Sequence, residues 1–185
     1  MENRQFTTGT VRAFDRAKAE KTREIEFIIS DDTRDRHGTV IPVEAWKLES
    51  FNQNGIVGYN HDVYGNGFEK PDPDDVIGSG TAFIENGKLI GRVRFEKAEN
   101  NPKADKIFNK ILGGILKATS VGFIETKPGK WGEGAEARDG ENPTYYFSEV
   151  ELLEFSIVNI PSNPNAVKRS FEESRKKYNY LLNYL

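Results

Sequence analysis

The chain has 185 residues, with 30% charged and 36% hydrophobic side chains and a net charge of -3. Its length suits one domain, and its weak net charge gives no general electrostatic case for binding nucleic acid or a membrane surface. The sequence contains no cysteine and only two histidines, which excludes disulfides and thiol catalysis and disfavours a transition-metal site. We therefore expect no cofactor and no metal ion.

Alternating or short apolar runs predict about seven β-strands along the chain. In chain order they are residues 6–14, 24–30, 55–62, 76–85, 88–95, 116–123 and 150–160, with a shorter strand-like run at 144–147. Asn86-Gly87 lies between the fourth and fifth strands, and this dipeptide between alternating runs is among the stronger signals for a β-hairpin. The Gly-, Pro- and Asp-rich residues 64–75 and the apolar-poor residues 127–143 are predicted to be surface loops.

Two internal helices are predicted from the spacing of apolar side chains. Pro42 precedes residues 43–51, in which apolar side chains recur at near-helical intervals. The stronger helix follows Asn101, a suitable N-cap, and extends through residues 102–112 until Gly113-Gly114 ends it.

Together these elements predict a mostly β (α+β) domain, a small closed antiparallel β-barrel of about seven strands with peripheral helices. Closure would explain how so many short strands avoid open sheet edges. We assign this domain to residues 1–165 and an amphipathic helical tail to residues 166–185. The apolar face of the tail needs a partner surface, which could be its own domain, a second subunit or a larger assembly.

The strand at residues 116–123 contains a candidate nucleophile, Ser120, and Gly122 two residues later would let another group approach closely. A serine is a poor nucleophile until a base removes its proton, and that base is usually histidine. His61 lies at the polar end of a predicted strand, whereas His37 lies in a charged loop. We therefore rank His61 above His37 as the base.

A third group should orient the base and stabilise its charged form, and the sequence offers Glu151 and Glu154. Glu154 lies in a largely apolar strand, where an unpaired carboxylate would be costly, so it should have a partner. Strand alternation places residues three apart on opposite faces, so only one of the two carboxylates is expected to point at His61. The residues by themselves leave the choice open.

Three segments, in this order, resemble the prohead proteases of tailed bacteriophages, which are capsid-maturation serine proteases. They are Asn60-His61-Asp62, the strand Thr119-Ser120-Val121-Gly122-Phe123, and residues 151–166, which read ELLEFSIVNIPSNPNA. This family shares a fold with the herpesvirus maturational protease, assemblin. An earlier segment, residues 35–42, is also similar to the family, but His37 and Thr39 depart from its commonest pattern and we assign it no role.

The resemblance implies a Ser-His-Glu triad in which Ser120 is the nucleophile, His61 is the general base and Glu154 orients His61. It also implies that backbone amides after the Glu154 strand stabilise the oxyanion. Because Pro161 has no amide hydrogen, Ser162 or Asn163 would have to donate.

The resemblance further implies a serine endopeptidase that cleaves the major capsid protein or its scaffold segment, and itself. It would act in the host bacterial cytoplasm inside the assembling prohead, with self-association as a dimer or larger and with neither nucleic acid nor membrane as a partner. One rival is a non-catalytic β-barrel module that binds capsid protein. Another is a hydrolase of small esters, but Ala118 stands where a Gly-x-Ser-x-Gly elbow needs its first glycine.

Overall fold

The computed structural model describes residues 5–11, 16–65, 70–132 and 143–160, and for residues 5–11 it describes the backbone. The strands of this part are β1 Gln5–Val11, β2 Glu24–Ser30, β3 Thr39–Val40, β4 Trp46–Lys47, β5 Ile56–Tyr59, β6 Val76–Glu85, β7 Lys88–Phe95, β8 Ala118–Lys127, β9 Lys130–Trp131, β10 Tyr145–Tyr146 and β11 Glu149–Val158. The α-helices are α1 Arg16–Thr22, α2 Glu49–Gln53 and α3 Pro102–Leu112. Short 3₁₀ turns cover Val43–Ala45, Asp62–Tyr64 and Pro73–Asp75. None of the described helices is both long and apolar enough to cross a membrane.

The main sheet has the strand order β4-β11-β5-β6-β7-β2-β1-β8, and β8 also pairs with β11. Seven strands form a continuous series in which each pairs with two other members, namely β1, β2, β5, β6, β7, β8 and β11. The short strand β4 is outside this series and pairs with β11. The pairs that β11 makes with β4 and β5 are parallel, and the other pairs of this sheet are antiparallel. A second, small sheet has the order β3-β10-β9. The mostly β (α+β) class predicted from the sequence is confirmed, but the prediction that the strands are all antiparallel is wrong, because β11 pairs in parallel with β4 and β5.

The hairpin and the stronger helix are also confirmed, each by the residues that predicted it. Asn86 and Gly87 both have positive φ, 51° and 68°, as a tight two-residue hairpin turn requires. The Asn101 side chain accepts a hydrogen bond from the amide of Ala104 at 2.9 Å and so caps α3. The apolar face of α3 packs into the core, where Phe108 lies 5.4 Å from Phe95 between ring centroids.

The helix predicted over residues 43–51 is wrong in its first half. Only Val43–Ala45 makes a 3₁₀ turn, and β4 follows before α2 begins at Glu49. β4 pairs in parallel with β11, and its buried Trp46 packs edge-on against Phe123. Pairing with a distant strand therefore overrode the local apolar spacing.

Besides β4, three short elements were not predicted, namely α1, β3 and β9, and β9 lies inside the segment expected to be a loop. The predicted tail helix at residues 166–185 lies outside the described residues, as do Ser162 and Asn163.

Candidate active site

Ser120 lies near the start of β8, which runs between β1 and β11, and its Cα pairs with those of Thr8 and Ser156. Its neighbours Val121 and Phe123 belong to the hydrophobic core, so alternation puts Ser120 and Gly122 on the opposite face of the strand. Ser120 is only 3% exposed, and its Oγ has no hydrogen-bond partner within the described part of the chain. A buried hydroxyl without such a partner is uncommon in a folded protein.

His61 lies in a strained turn at the end of β5. Asn60 and His61 both adopt left-handed backbone conformations, with φ of 51° and 63°, and this conformation costs about 1–2 kcal/mol in a non-glycine residue. The turn is tied to the end of β11, because the Asn60 amide donates to the Ile157 carbonyl at 2.9 Å and the Asn159 amide donates to Asn60 Oδ1 at 3.0 Å. Such strain, held in place by neighbouring contacts, is often found at functional sites.

The imidazole of His61 contacts the carboxylate of Glu154. His61 Nδ1 lies 2.7 Å from Glu154 Oε1, and Glu154 is 1% exposed. An ionised carboxylate can only accept a hydrogen bond, so the hydrogen lies on Nδ1 and Nε2 is the nitrogen that can take up a proton. This is the arrangement in which a carboxylate orients a general base.

A β-bulge in β11 directs Glu154 toward His61. Leu152 pairs with Phe123 and Glu154 pairs with Gly122, so Leu153 is an extra residue on the bulged strand. Before the bulge the core residues of β11 are Val150 and Leu152, and after it they are Phe155 and Ile157. Without the extra residue, Glu154 would share the core face of Val150 and Leu152.

The same bulge corrects the argument that Glu151 and Glu154 face opposite ways. Glu151 pairs with Ile124, and Ile124 shares a face of β8 with Gly122, the partner of Glu154. Both carboxylates therefore lie on one face, but Glu151 is two positions, or about 7 Å, farther along β8. The contact with His61 is made by Glu154.

Gly122 leaves the space that the carboxylate occupies. A Cβ at this position would overlap Glu154 Oε1 and would lie 3.2 Å from the hydroxyl oxygen of Tyr64. The sequence predicted a close approach at Gly122, and the approaching group is the candidate acid of the site.

Sequence reasoning missed Ser156, which is fully buried next to Glu154. Its hydroxyl donates to Glu154 Oε2 at 2.7 Å and accepts from the His61 amide at 3.2 Å. The signal was available, because a serine two residues after a glutamate lies on the same face of a strand.

His37, the weaker candidate base, is exposed in the loop before β3. Its amide donates to Asp35 Oδ1, which also accepts from the Thr39 amide. The buried Asp35 therefore organises this loop, and none of these contacts reaches Ser120.

A charged cluster connects the His61 turn to helix α3. Lys103 Nζ lies 2.6 Å from Asp75 and 3.6 Å from Asp62, the residue after His61. The hydrogen bond from Lys103 lowers the pKa of the Asp75 carboxyl. Burial alone would lower the pKa of Lys103, but the two carboxylates outweigh it and raise that pKa above its ordinary value.

Comparison with known proteins gave three findings. A family model described as the caudovirus prohead serine protease matches residues 76–179, which include Ser120 and Glu154 but not His61. The prohead protease of Escherichia phage T5 is 26% identical over 160 residues, which are 84% of this chain and 66% of that relative, just under two thirds of its length. The structure of the bacteriophage T4 capsid assembly protease aligns with a TM-score of 0.54 at 15% identity, covering 86% of this chain and all of that one. This last likeness is one of fold.

Proposed function

We propose that this chain, which belongs to the caudovirus prohead serine protease family, is a serine endopeptidase of phage capsid assembly. Membership rests on the family match, which covers more than half of the chain. The similarity to a phage prohead protease supports the activity, and the fold is shared with a capsid assembly protease.

In the proposed mechanism Ser120 is the nucleophile, His61 the general base and Glu154 the orienting acid. The observation that carries it is the 2.7 Å contact between His61 Nδ1 and Glu154 Oε1, made on the face of the sheet that also bears Ser120. Ser120 Oγ attacks a peptide carbonyl carbon while its proton moves to His61 Nε2, which then protonates the leaving amine. Water, deprotonated by the same nitrogen, hydrolyses the acyl-enzyme and regenerates Ser120.

Ser120 is the better candidate nucleophile of the two serines on this face. The hydroxyl of Ser156 already donates its hydrogen to Glu154, whereas that of Ser120 has no partner within the described residues. Because Ser120 is only 3% exposed, a peptide carbonyl reaches it only after neighbouring groups move. The Ser120–His61 hydrogen bond would then form in the substrate complex, where catalytic contacts tighten.

The remaining features are proposed on the resemblance to the family. The amides of Ser162 or Asn163, outside the described residues, would stabilise the oxyanion. The substrates would be the major capsid protein, its scaffold segment and the protease itself, inside the assembling prohead. We also propose that the main sheet is a closed barrel of the herpesvirus-protease type, which the pairing of β8 with β11 supports.

The test is co-expression of the Ser120→Ala variant with the capsid protein. We expect processing to be lost, while Ser79→Ala, which removes an exposed hydroxyl on β6, processes normally. Unchanged processing by Ser120→Ala would refute the nucleophile assignment.

A fluorophosphonate probe separates the enzyme from a non-catalytic assembly module. The wild type should be labelled at Ser120, and His61→Gln should be labelled at least about 100-fold more slowly, since it lacks the base. No labelling of the wild type, with or without capsid protein, would favour the assembly module.

A further inference from the structure

We infer that Ser156 is a positioning residue of this site, aligning the carboxylate of Glu154 with the imidazole of His61. The inference rests on the proposed function and assigns a role to a residue outside the proposed triad.

One hydroxyl connects both members of the acid–base pair. Ser156 Oγ donates to Glu154 Oε2 at 2.7 Å, while the other oxygen, Oε1, contacts His61 Nδ1 at 2.7 Å. Each oxygen of the buried carboxylate therefore has its own partner, and rotating the carboxylate would break both contacts. Hydrogen bonds to a charged group are stronger and more directional than neutral ones.

Ser156 also supports the left-handed turn at His61. Its Oγ accepts a hydrogen bond from the His61 amide at 3.2 Å, which helps to offset the cost of the positive φ. Ser156 thus fixes the main chain of the base as well as the acid that orients its ring.

The neighbouring strand leaves room for this hydroxyl. Gly58 on β5 pairs with Ser156 on β11, and a Cβ at Gly58 would lie 2.7 Å from Ser156 Oγ. On the other side, Ser156 pairs with Ser120 itself, and side chains of paired strand residues are neighbours. The positioning hydroxyl therefore lies beside the proposed nucleophile.

The test compares Ser156→Ala with Ser156→Thr, which keeps the hydroxyl on a β-branched side chain suited to a strand. The probe is a fluorophosphonate, and its second-order labelling rate at Ser120 is measured. We expect Ser156→Ala to label about 10- to 100-fold more slowly, as expected for losing a hydrogen bond to a charged group, and Ser156→Thr to recover most of the rate. Ser30→Ala is the matched control, since Ser30 is also a buried strand serine but lies on β2.

A second readout does not depend on activity. The chain has two histidines, so a His37→Gln background leaves His61 as the only imidazole to observe by NMR. In that background, the hydrogen on His61 Nδ1 should resonate far downfield when Ser156 is retained and also in the Ser156→Thr variant. In the Ser156→Ala variant this resonance should shift or broaden. If Ser156→Ala fails to fold, Ser156→Cys replaces it, with the same expectation because a thiol is a weak donor.

Wild-type labelling and an unchanged Nδ1 hydrogen in the Ser156→Ala chain would overturn the inference. The inference would also be overturned if Ser156→Ala labels more slowly, Ser156→Thr does not restore the labelling rate, and the Nδ1 resonance is unchanged. That pattern would indicate that the rate is lost through altered packing and not through the lost hydroxyl. If the wild type is never labelled, the proposed function fails, and the NMR comparison still tests whether Ser156 positions His61.

Discussion

At the scale of single residues, the site is a buried carboxylate whose two oxygens have different partners. Oε1 of Glu154 contacts the imidazole of His61, and Oε2 accepts from Ser156. Gly122 makes the space for this carboxylate. Each of these residues is small, polar or costly to bury, so packing alone would not select them at these positions.

A comparison of Glu154→Gln with Glu151→Gln tests the assignment of the acid. Glu154→Gln should lower the labelling rate of Ser120 by about 1,000-fold or more, because a neutral amide neither holds the required tautomer nor stabilises an imidazolium. Glu151→Gln should label at a rate close to the wild type, since Glu151 pairs with Ile124 and lies farther along the strand. The reverse ranking of the two variants would make Glu151 the acid.

At the scale of elements, two irregularities carry the proposed chemistry. The bulge at Leu153 turns Glu154 out of the core, and the left-handed turn after β5 brings His61 over the same face. Helix α3 supports this turn through Lys103, which lies near both Asp62 and Asp75. The helix thus connects the loop that follows His61 to the turn that precedes β6.

The pair Lys103–Asp75 predicts a pH-dependent contribution to stability. The pKa of Asp75 is lowered by its hydrogen bond from Lys103. The contribution of the Asp75 carboxylate to the free energy of unfolding is therefore complete above the ordinary Asp range, and it is lost as pH falls through the lowered pKa. The raised pKa of Lys103 keeps the pair charged at neutral and mildly alkaline pH, and the contribution is lost as pH rises through that value.

A double-mutant cycle of Lys103→Met and Asp75→Asn should therefore show coupling at pH 7. We expect a coupling free energy below about 1 kcal/mol, because the lysine side chain is partly exposed. This coupling should decline as acid protonates Asp75, at a pH below the ordinary Asp range because the pKa of Asp75 is lowered. Lys97 and Glu99 form an exposed control pair, with side chains 66% and 68% exposed, for which the coupling free energy should be near zero at neutral and at acidic pH. A coupling for Lys103–Asp75 that does not decline at all when the pH is lowered through and below the ordinary Asp range would contradict the electrostatic explanation.

At the scale of the whole molecule, stability depends on strand pairs between distant parts of the chain. β1 pairs with β2 and with β8, and β8 pairs with β11. The strand that bears Ser120 therefore has a neighbour on each side, and its backbone is held by both. This supports a rigid position for the proposed nucleophile.

Two truncations test this organisation and the proposed boundary at residue 165. Deleting residues 1–11 removes β1, leaves one edge of β2 and one edge of β8 unpaired, and should abolish cooperative urea unfolding. Deleting residues 166–185 should preserve cooperative unfolding with little change in midpoint, if the tail is separate from the domain. The family match extends to residue 179, beyond the proposed boundary. If the chain that lacks residues 166–185 does not fold, the tail belongs to the domain.

The elements that local chemistry specifies could be predicted from the sequence. The hairpin at Asn86-Gly87, the cap at Asn101 and the alternating strands follow from turn residues, capping groups and a period of two. The short parallel strand β4 did not follow, because its pairing with β11 joins residues about a hundred positions apart in sequence and leaves no local signal.

The candidate site was likewise predictable from the sequence only in part. Serine, histidine and glutamate could be proposed from their residue types, neighbours and family resemblance. Which carboxylate meets His61 depends on the fold, because a single extra residue at Leu153 reverses the alternation that sequence reasoning assumed. A bulge is set by pairing with another strand and not by local periodicity, so only the folded sheet brought Glu154 and Ser156 to the face that bears Ser120.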